Sequence, residues 1–307
     1  PGRVAHSAPK PVGRGSAGSR WTKLLLQLGS DVENIPTADL ARCSLARFDA
    51  LIIANSTNAR IETWEALEGF RGLIFAEKPL TYTVRSLDWI ADKFNAANLY
   101  CLYSMRFHPV IKYLKNKMIQ LEVTKAQIVC HTDILSWRKE QHKFADCFAS
   151  REPGGGVLLE LAHEIDFAYQ LFDVTNLKLL SWERDQMFGV INSCCLESAD
   201  ISDIRVDLNF RESDKPEERK IKIFSCASEI EADLLLNMVC SRDEGVEEIM
   251  EFKNFQRDIL FRDIALDMKA LINGSGVSVE METCRYDRSY QSLALVARCY
   301  EETLRVF

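Results

Sequence analysis

Short apolar segments alternate with amphipathic segments through the first third of the chain. The segments 49–55 (DALIIAN), 73–80 (LIFAEKPL) and 99–105 (LYCLYSM) have continuous apolar runs, which are typical of parallel strands buried on both faces. The segments 59–70 and 83–98 between them have the apolar spacing of helices. This alternation predicts a parallel α/β sheet, in which ligands bind at the carboxyl ends of the strands.

The start of the chain carries a glycine pattern with two interpretations. Gly13, Gly15 and Gly18 match the dinucleotide-binding fingerprint, in which glycines let a pyrophosphate approach the N-terminus of a helix. The same stretch is basic, rich in Ser and Gly and free of acidic residues, so it also fits a disordered tail and weakly resembles a transit peptide. These residues alone leave the choice open.

The residues after this pattern predict a helix over 20–28, a short strand over 31–35 and a helix over 37–48 that begins at Thr37 as its N-cap. An acidic residue that grips the adenosine ribose is expected about 20 residues after the fingerprint. Asp31, Glu33 and Asp39 are the candidates, and none of them stands clearly after a strand. One βα unit is therefore expected to be shortened or missing.

The first strand of the sheet is expected in the segment before the fingerprint, SAPKPVGRG at 7–15. Pro9 and Pro11 would remove hydrogen-bond donors from the ladder of a central strand. The sequence therefore predicts an impaired first strand.

The second half of the chain has a different texture. A long helix is expected over 157–172, strands dominate from about 178 to 252, and helices over 255–272 and 285–305 close the chain. The strands IRVDLNF and IKIFSCA flank the charged run RESDKPEER, which predicts a hairpin with a solvated tip. A mostly antiparallel α+β domain is expected over 105–307, after a Rossmann-like domain over 1–104.

Composition excludes several function classes. The formal net charge of −7 disfavours binding to nucleic acid. The chain lacks an apolar run of membrane-spanning length and an apolar leader, so a cytoplasmic protein without membrane association is expected. Ten cysteines without a CxxC pair indicate reduced thiols rather than a zinc ribbon, with vicinal Cys194 and Cys195 as a redox-pair alternative.

The residues with the strongest chemical signal follow three glycines at 154–156. Glu160 and His163 have the i,i+3 spacing that places two side chains on one face of a helix. A carboxylate beside an imidazole is a proton-transfer pair, although a polar helix face is the simpler explanation of such a pattern. The sequence HEID lacks the second histidine of a zinc protease, so no metal is expected.

The segment FAEKPL places Lys78 where a parallel strand ends. A lysine there is a cation in a ligand crevice, suited to polarising a substrate oxygen.

Taken in order, these motifs resemble one family. The GxGxxG turn is followed by LIIANSTNAR, EKPL (77–80), YSMRFHP (103–109) and the glycine-run helix (154–166). This arrangement, over roughly residues 12–306, resembles the glucose–fructose oxidoreductase, inositol dehydrogenase and rhizopine-catabolism (Gfo/Idh/MocA) family. It is most similar to members encoded beside sugar-nucleotide and sialic-acid genes.

The resemblance implies a role for each matching residue. Lys78 would contact the reacting hydroxyl and the nicotinamide ribose, His163 would be the general base, and Glu160 would hold a position usually occupied by Asp. The Lys78–Pro79 bond is often cis in the family. The implied contacts with NAD or NADP are Gly13, Gly15, Ser16, Ala17, Gly18, Asn55, Ser56, Glu77 and Lys78. The implied contacts with substrate are Arg106, His108, Trp137, Arg138 and Asp166.

The family implies an oxidoreductase that transfers a hydride to or from a secondary alcohol carbon of a sugar, a sugar nucleotide or a cyclitol. It also implies a homodimer or homotetramer. The alternative is a degenerate, non-catalytic member with weakened cofactor binding that acts as a binding or scaffold protein. A metal hydrolase using His108, His131 or His163 is a remote third option, because these residues lack ligand spacing.

Overall fold

The residues of this computed structural model cluster into two compact units. The first comprises Pro1–Phe107 and Gln256–Leu293, and the second comprises His108–Phe255 and Ala294–Phe307. The sequence predicted a single boundary at residue 104, with everything after it in the second domain. In the structure, residues 256–293 return to the first unit. The structure describes residues 3–8, 16–136, 143–198, 203–210 and 216–305.

The first unit is built on a parallel sheet with the strand order β2-β1-β3-β4-β5. Strands β3 and β5 are buried along their whole length, as their unbroken apolar sequences predict. All five strands run in one direction, so their carboxyl ends share one edge. The elements are β1 (Arg3–Ala8), α1 (Ser16–Gln27), β2 (Asp31–Pro36), β3 (Ala50–Ile53), α2 (Arg60–Ala66), β4 (Leu73–Glu77), α3 (Val84–Lys93) and β5 (Leu99–Leu102).

The prediction of an impaired first strand over 7–15 was wrong. Strand β1 lies earlier and pairs along its length with β2 and over Val4–Ser7 with β3. It contains no proline, so its N–H groups are available to both neighbours. Pro9 and Pro11 follow its last residue and lie outside the described residues.

The segment 37–48 does not form the predicted α-helix. It forms two 3₁₀ helices, Thr37–Arg42 and Leu45–Arg47, because Cys43 adopts an extended conformation between them. Pro36, rather than Thr37, occupies the N-cap position. The crossover from β2 to β3 therefore lacks an α-helix, which is the shortened βα unit that the sequence predicted.

The second unit holds an eight-stranded sheet with the order β13-β12-β11-β10-β6-β9-β8-β7. Neighbouring strands are antiparallel except for β6 and β9. Helices α5 and α6 pack on β6, β8 and β9. The elements are α4 (Pro109–Met118), β6 (Val123–Thr132), α5 (Val157–Glu160), α6 (Ala162–Phe172), β7 (Leu177–Arg184), β8 (Ile191–Ser198), β9 (Asp203–Phe210), β10 (Glu218–Ser225), β11 (Ser228–Asp233), β12 (Met238–Asp243) and β13 (Val246–Glu251).

The predicted hairpin of β9 and β10 was wrong, because β6 lies between these strands and pairs with both. Strand β6 precedes both strands in the chain by many residues, so local alternation could not reveal the insertion. Residues 211–215 of the charged run lie outside the described residues.

The chain closes with α7 (Arg257–Ile272), α8 (Val279–Cys284) and α9 (Tyr286–Arg305). In the first unit, α7 packs against α1 and α8 packs against β5. Trp21 and Phe261 meet edge to face at 5.6 Å between ring centroids. Among the described residues, the structure contains no helix with the length and apolarity to cross a membrane. The architecture is the expected pairing of a short parallel α/β sheet with a mostly antiparallel α+β unit.

Candidate active site

The exit of β4 carries Lys78 between two anchored neighbours. Glu77 ends the strand, and its Oε1 accepts a hydrogen bond of 2.8 Å from Nε1 of the buried Trp21 on α1. The Lys78–Pro79 peptide bond is cis. The guanidinium carbon of Arg20 lies over the ring of Phe261, 3.9 Å from the ring centroid. Burial lowers the pKa of Arg20, and the carboxylates of Glu77 and Asp258 oppose that shift. The start of α1 and the exit of β4 are therefore linked through Glu77.

Asn55 lies just beyond the carboxyl end of β3 and is 2% exposed. Its Nδ2 donates to the carbonyl of Ala59 at 3.2 Å and to Oγ1 of Thr63 at 2.7 Å. These two bonds fix the amide orientation. Its Oδ1 is buried and accepts no hydrogen bond in the structure. Buried acceptors are nearly always paired, so this oxygen has an unused capacity to accept a hydrogen bond.

A second buried oxygen of this kind lies beyond the end of β2. Oγ1 of Thr37 is buried and makes no hydrogen bond in the structure. Beyond β3, the hydroxyl of Ser56 donates to Oδ1 of Asn58 at 2.6 Å, so Ser56 already has a local partner. Thr37 and Asn55 thus place oxygens that lack a hydrogen bond at one edge of the sheet.

The first turn of α1 is formed by Ser16, Ala17 and Gly18. This turn contains no acidic residue, and Gly18 is buried. The N-terminus of a helix attracts anions through its unpaired N–H groups and its dipole. The turn is therefore suited to a phosphate group. Gly13 and Gly15 lie outside the described residues.

The side chain of Arg60 contacts the exits of both β3 and β4. Its guanidinium donates to the carbonyl oxygens of Asn55, Glu77 and Pro79. Sequence reasoning missed this residue, because an arginine at the start of a helix resembles any polar surface position. The available signal in the sequence was the position of this long, cationic side chain a few residues after the buried strand β3.

In the second unit, the glycine loop (153–156) packs backbone against backbone. A Cβ on Gly155 would lie 2.5 Å from the carbonyl oxygen of Arg151 and 2.6 Å from that of Ala149. Gly156 has a φ of +85°, a conformation that favours glycine. Its N–H donates to the carbonyl of Ala149 at 2.8 Å. Glycine is thus required at 155 and 156 for the loop to lead into α5.

Tyr300 on α9 holds the other end of the glycine loop. Its hydroxyl accepts from the N–H of Gly154 at 2.9 Å and donates to Oε1 of Glu152 at 2.6 Å. Although Glu152 as a residue is exposed, partial burial of its carboxyl group raises its pKa, and the Tyr300 hydroxyl opposes that shift. Sequence reasoning also missed Tyr300, whose partners are 146 and 148 residues away.

The predicted continuous helix over 157–172 is interrupted at Leu161, whose φ and ψ are −98° and 29°. A straight helix would direct the consecutive apolar residues Val157, Leu158 and Leu159 over about 200° of its circumference, and all three are buried. The break lets these side chains pack inside the unit. Glu160 and His163 lie on opposite sides of this break, in α5 and α6, so their relative placement does not follow from the geometry of one continuous helix.

His163 lies in the first turn of α6 and is half-buried, as is Glu160. Its Nδ1 is buried and makes no hydrogen bond in the structure. The next residue, Glu164, is fully buried and accepts from Nε and Nη2 of Arg219 on β10, each at 2.7 Å. This ion pair anchors the first turn of α6 to the sheet, so the backbone that carries His163 is held in place.

The expected substrate contacts occupy different environments. Arg106 is buried in the first unit and donates to the carbonyl of Thr283 and to Oγ of Ser289 at 3.0 Å. Asp166 on α6 is buried in the second unit. Trp137 and Arg138 lie outside the described residues.

His108, also expected to contact substrate, is the N-cap of α4. Its Nδ1 accepts from the N–H of Val110 at 3.3 Å. Burial, reinforced by the charge of Arg219, lowers the pKa of His108 to about 4, so the ring is neutral at physiological pH. Among the described residues, no group of three or more His, Cys, Asp or Glu side chains could hold a metal ion.

Solved structures with the same fold are numerous. An inositol dehydrogenase homologue from Azotobacter vinelandii, in complex with NAD+, superposes with a TM-score of 0.74 at 14% identity over 99% of this chain and 96% of that chain. A UDP-N-acetylglucosamine 3-dehydrogenase from Acidithiobacillus ferrooxidans gives 0.72 at 15% identity, over 98% and 97%. A levoglucosan dehydrogenase in complex with NADH and levoglucosan gives 0.69 at 15% identity, over 99% and 97%. No protein-family model and no curated protein sequence matches the chain. At these identities the comparisons establish a shared fold.

Proposed function

We propose that the protein is a nicotinamide-dependent oxidoreductase. It transfers a hydride to or from a secondary alcohol carbon of a sugar, a sugar nucleotide or a cyclitol. The observation that carries the proposal is the buried Oδ1 of Asn55, which accepts no hydrogen bond at the carboxyl edge of a parallel sheet. The fold neighbours include proteins described as complexes with NAD+ and with NADH, which supports this choice of ligand.

The residues at this edge fit a dinucleotide. The first turn of α1 would hold the pyrophosphate, and Oδ1 of Asn55 would accept from a ribose hydroxyl or from the carboxamide N–H group. Ser56 and Glu77 would flank the same crevice. The nicotinamide ring supplies the hydride chemistry when it is bound. NAD and NADP both remain within the proposal.

The protein would supply position and proton transfer. Lys78 would hold the substrate hydroxyl through its ammonium group and stabilise negative charge on that oxygen. His163 would take the hydroxyl proton as general base during oxidation and return it during reduction. Glu160 would help to set the local charge, and Asp166 would contribute to the substrate side. Arg106 and His108 would act through the segments that they anchor.

Turnover assays test this function directly. The wild-type protein is mixed with NAD+ or NADP+ and with myo-inositol, levoglucosan or UDP-N-acetylglucosamine, and formation of the reduced nicotinamide is followed by absorbance. We expect reduction with at least one of these alcohols or with a related carbohydrate. Inactivity with all alcohols, together with a failure to bind NADH and NADPH, would exclude the oxidoreductase.

The second candidate is a non-catalytic binding or scaffold protein with the same fold. The carboxyl end of β2 favours it, because Pro36 and Thr37 stand where a ribose-binding carboxylate would be expected. Fluorescence titration with NADH and NADPH separates the two candidates. Saturable binding of either nucleotide supports the enzyme, and its absence supports the scaffold.

We also propose that the protein forms a homodimer or a homotetramer. Light scattering of the protein in solution tests this.

A further inference from the structure

Arg60 is a buried cation at the start of α2. It is 4% exposed. Its Nε and Nη2 donate to the carbonyl of Asn55 at 3.1 and 2.8 Å, and its Nη1 donates to the carbonyls of Glu77 and Pro79. One side chain therefore joins the main chain beyond β3 to the main chain at the end of β4.

The hydrogen bonds from Arg60 satisfy backbone carbonyls at the point where neighbouring parallel strands end. Strands β3 and β4 pair up to Ile53 and Ala76, so the carbonyls of Asn55 and Pro79 lie beyond the last partners of this pair, whereas Glu77 is still in register with Leu102 of β5. A buried carbonyl without a partner is costly. The guanidinium group presents several N–H donors in one fixed plane, so it can satisfy carbonyls from two segments at once. Charge makes these hydrogen bonds stronger than neutral ones.

The two carbonyls at the exit of β4 belong to the residues on either side of Lys78. We infer that Arg60 is a positioning residue that fixes the backbone of Lys78 by holding both neighbouring carbonyls. With these peptide groups fixed, the freedom of Lys78 is confined to its own side chain. The inference rests on the proposed function, because the position of Lys78 affects turnover only if Lys78 meets the substrate or the cofactor.

Further contacts from α2 reach the same two exits. Nε1 of Trp64 donates to the carbonyl of Leu80 at 3.1 Å. Thr63 accepts from the side chain of Asn55 at 2.7 Å. Helix α2 therefore holds residues 55 and 77–80 through three of its own side chains. Arg60 is the member of this set that contacts both exits.

Hydrogen–deuterium exchange tests the contact without requiring activity. The full-length variants Arg60→Gln and Arg60→Lys are compared with wild type in peptides that cover 74–82. We expect exchange to be faster by about tenfold in Arg60→Gln, with Arg60→Lys intermediate, because an ammonium group lacks the planar fork. The matched control is Leu87→Ala, which opens a cavity under α3 in the same unit. This control should lower thermal stability and leave exchange in 74–82 near the wild-type rate.

Steady-state kinetics with NAD+ and the alcohol accepted by the wild type give the second measurement. Arg60→Gln should lower kcat by about tenfold or more, since misplacing a reactive group by about 1 Å can cost on the order of a hundredfold. The KM for NAD+ should rise by a smaller factor than kcat falls, because the pyrophosphate site on α1 is untouched. Arg60→Lys should recover part of kcat, and Leu87→Ala should keep the wild-type kcat.

Each outcome decides part of the inference. Unchanged exchange in both Arg60 variants overturns it, whatever the kinetics show. Faster exchange with unchanged kcat also overturns it, because the backbone would then be loosened without effect on the reaction. If the wild type neither binds NADH or NADPH nor oxidises an alcohol, the proposed function fails and the positioning role fails with it. Exchange then still reports whether Arg60 holds the exit of β4, so the two failures are distinguishable.

Discussion

The exit of β4 carries Lys78, and the glycine loop (153–156) leads into the helices that carry Glu160 and His163. The backbone of these two regions is stabilised in different ways. At the exit of β4, the guanidinium of Arg60 reaches the backbone carbonyls. In the glycine loop, the backbone packs directly on itself at Gly155, and the Tyr300 hydroxyl holds Gly154. The first solution needs a long cation and the second needs the absence of a side chain. Substitutions in the two regions should therefore disturb the backbone in different ways.

The largest expected effects come from the two reactive residues. Lys78→Ala and His163→Ala should each lower turnover by about a hundredfold to ten-thousandfold and leave the fold intact. Lys78→Ala should also weaken NADH binding, because Lys78 would contact the nicotinamide ribose. His163→Ala should leave NADH affinity near the wild-type value, because its proposed role is proton transfer alone.

Turnover and NADH titration, with circular dichroism as a check on folding, measure these effects. Near-wild-type turnover in either variant would remove that residue from the mechanism. Equal losses of NADH affinity in both variants would contradict the separation of roles.

A smaller effect is expected from Gly155→Ala. The new Cβ would meet two backbone oxygens at 2.5–2.6 Å, and backbone cannot move aside as a flexible side chain can. We expect a loss of about 1–3 kcal/mol in the free energy of unfolding, together with reduced turnover as the start of α5 shifts. Urea unfolding measures the loss. Gly276→Ala is the control, because its Cβ would meet nothing within 4 Å; equal stability of the two variants would disprove the packing argument.

The smallest effect is expected from Tyr300→Phe, and it should depend on pH. Burial raises the pKa of Glu152 and the Tyr300 hydroxyl opposes the shift. A carboxyl group with a raised pKa contributes stability at low pH that is lost as the pH rises through its folded pKa. Removing the hydroxyl raises this pKa further, so the variant should lose about 1 kcal/mol at neutral pH and less near pH 4.

Thermal unfolding of the Tyr300→Phe variant at both pH values measures this difference. The control is Tyr290→Phe on the same helix, which removes a hydrogen bond to the exposed carboxylate of Asp88. It should change stability by less than about 0.5 kcal/mol. A loss for Tyr300→Phe that is identical at the two pH values would contradict the role of Glu152.

The first unit was the more predictable of the two. Its buried parallel strands have continuous apolar sequences, so β3, β4 and β5 and the positions of Asn55 and Lys78 followed from local patterns. Strand β1 was misplaced because a first strand normally leads directly into the glycine turn, whereas here Pro9 and Pro11 separate the strand from Gly13. Arg60 was missed because its carbonyl partners at the exit of β4 lie 17 and 19 residues along the chain.

The structure of the second unit was harder to predict, because it depends more on contacts between segments that are distant in the sequence. The insertion of β6 between β9 and β10 pairs segments that are far apart in the chain. The break at Leu161 follows from burial on several sides of a short helix, which the composition of 157–161 permits but does not require. The motif around His163 was visible, whereas its anchor, the ion pair of Glu164 with Arg219, spans 55 residues.

The central claim is that a nicotinamide nucleotide binds at the carboxyl edge of the parallel sheet. Fluorescence titration of NADH and NADPH into wild type, Asn55→Ala and Asn98→Ala tests it most directly. Asn98 donates to a surface carbonyl of the same unit and is the matched control. The account predicts saturable binding by wild type and Asn98→Ala and at least about tenfold weaker binding by Asn55→Ala, as expected for a lost buried hydrogen bond. Absence of saturable binding of either nucleotide by the wild type, or equal affinity in Asn55→Ala, would contradict it.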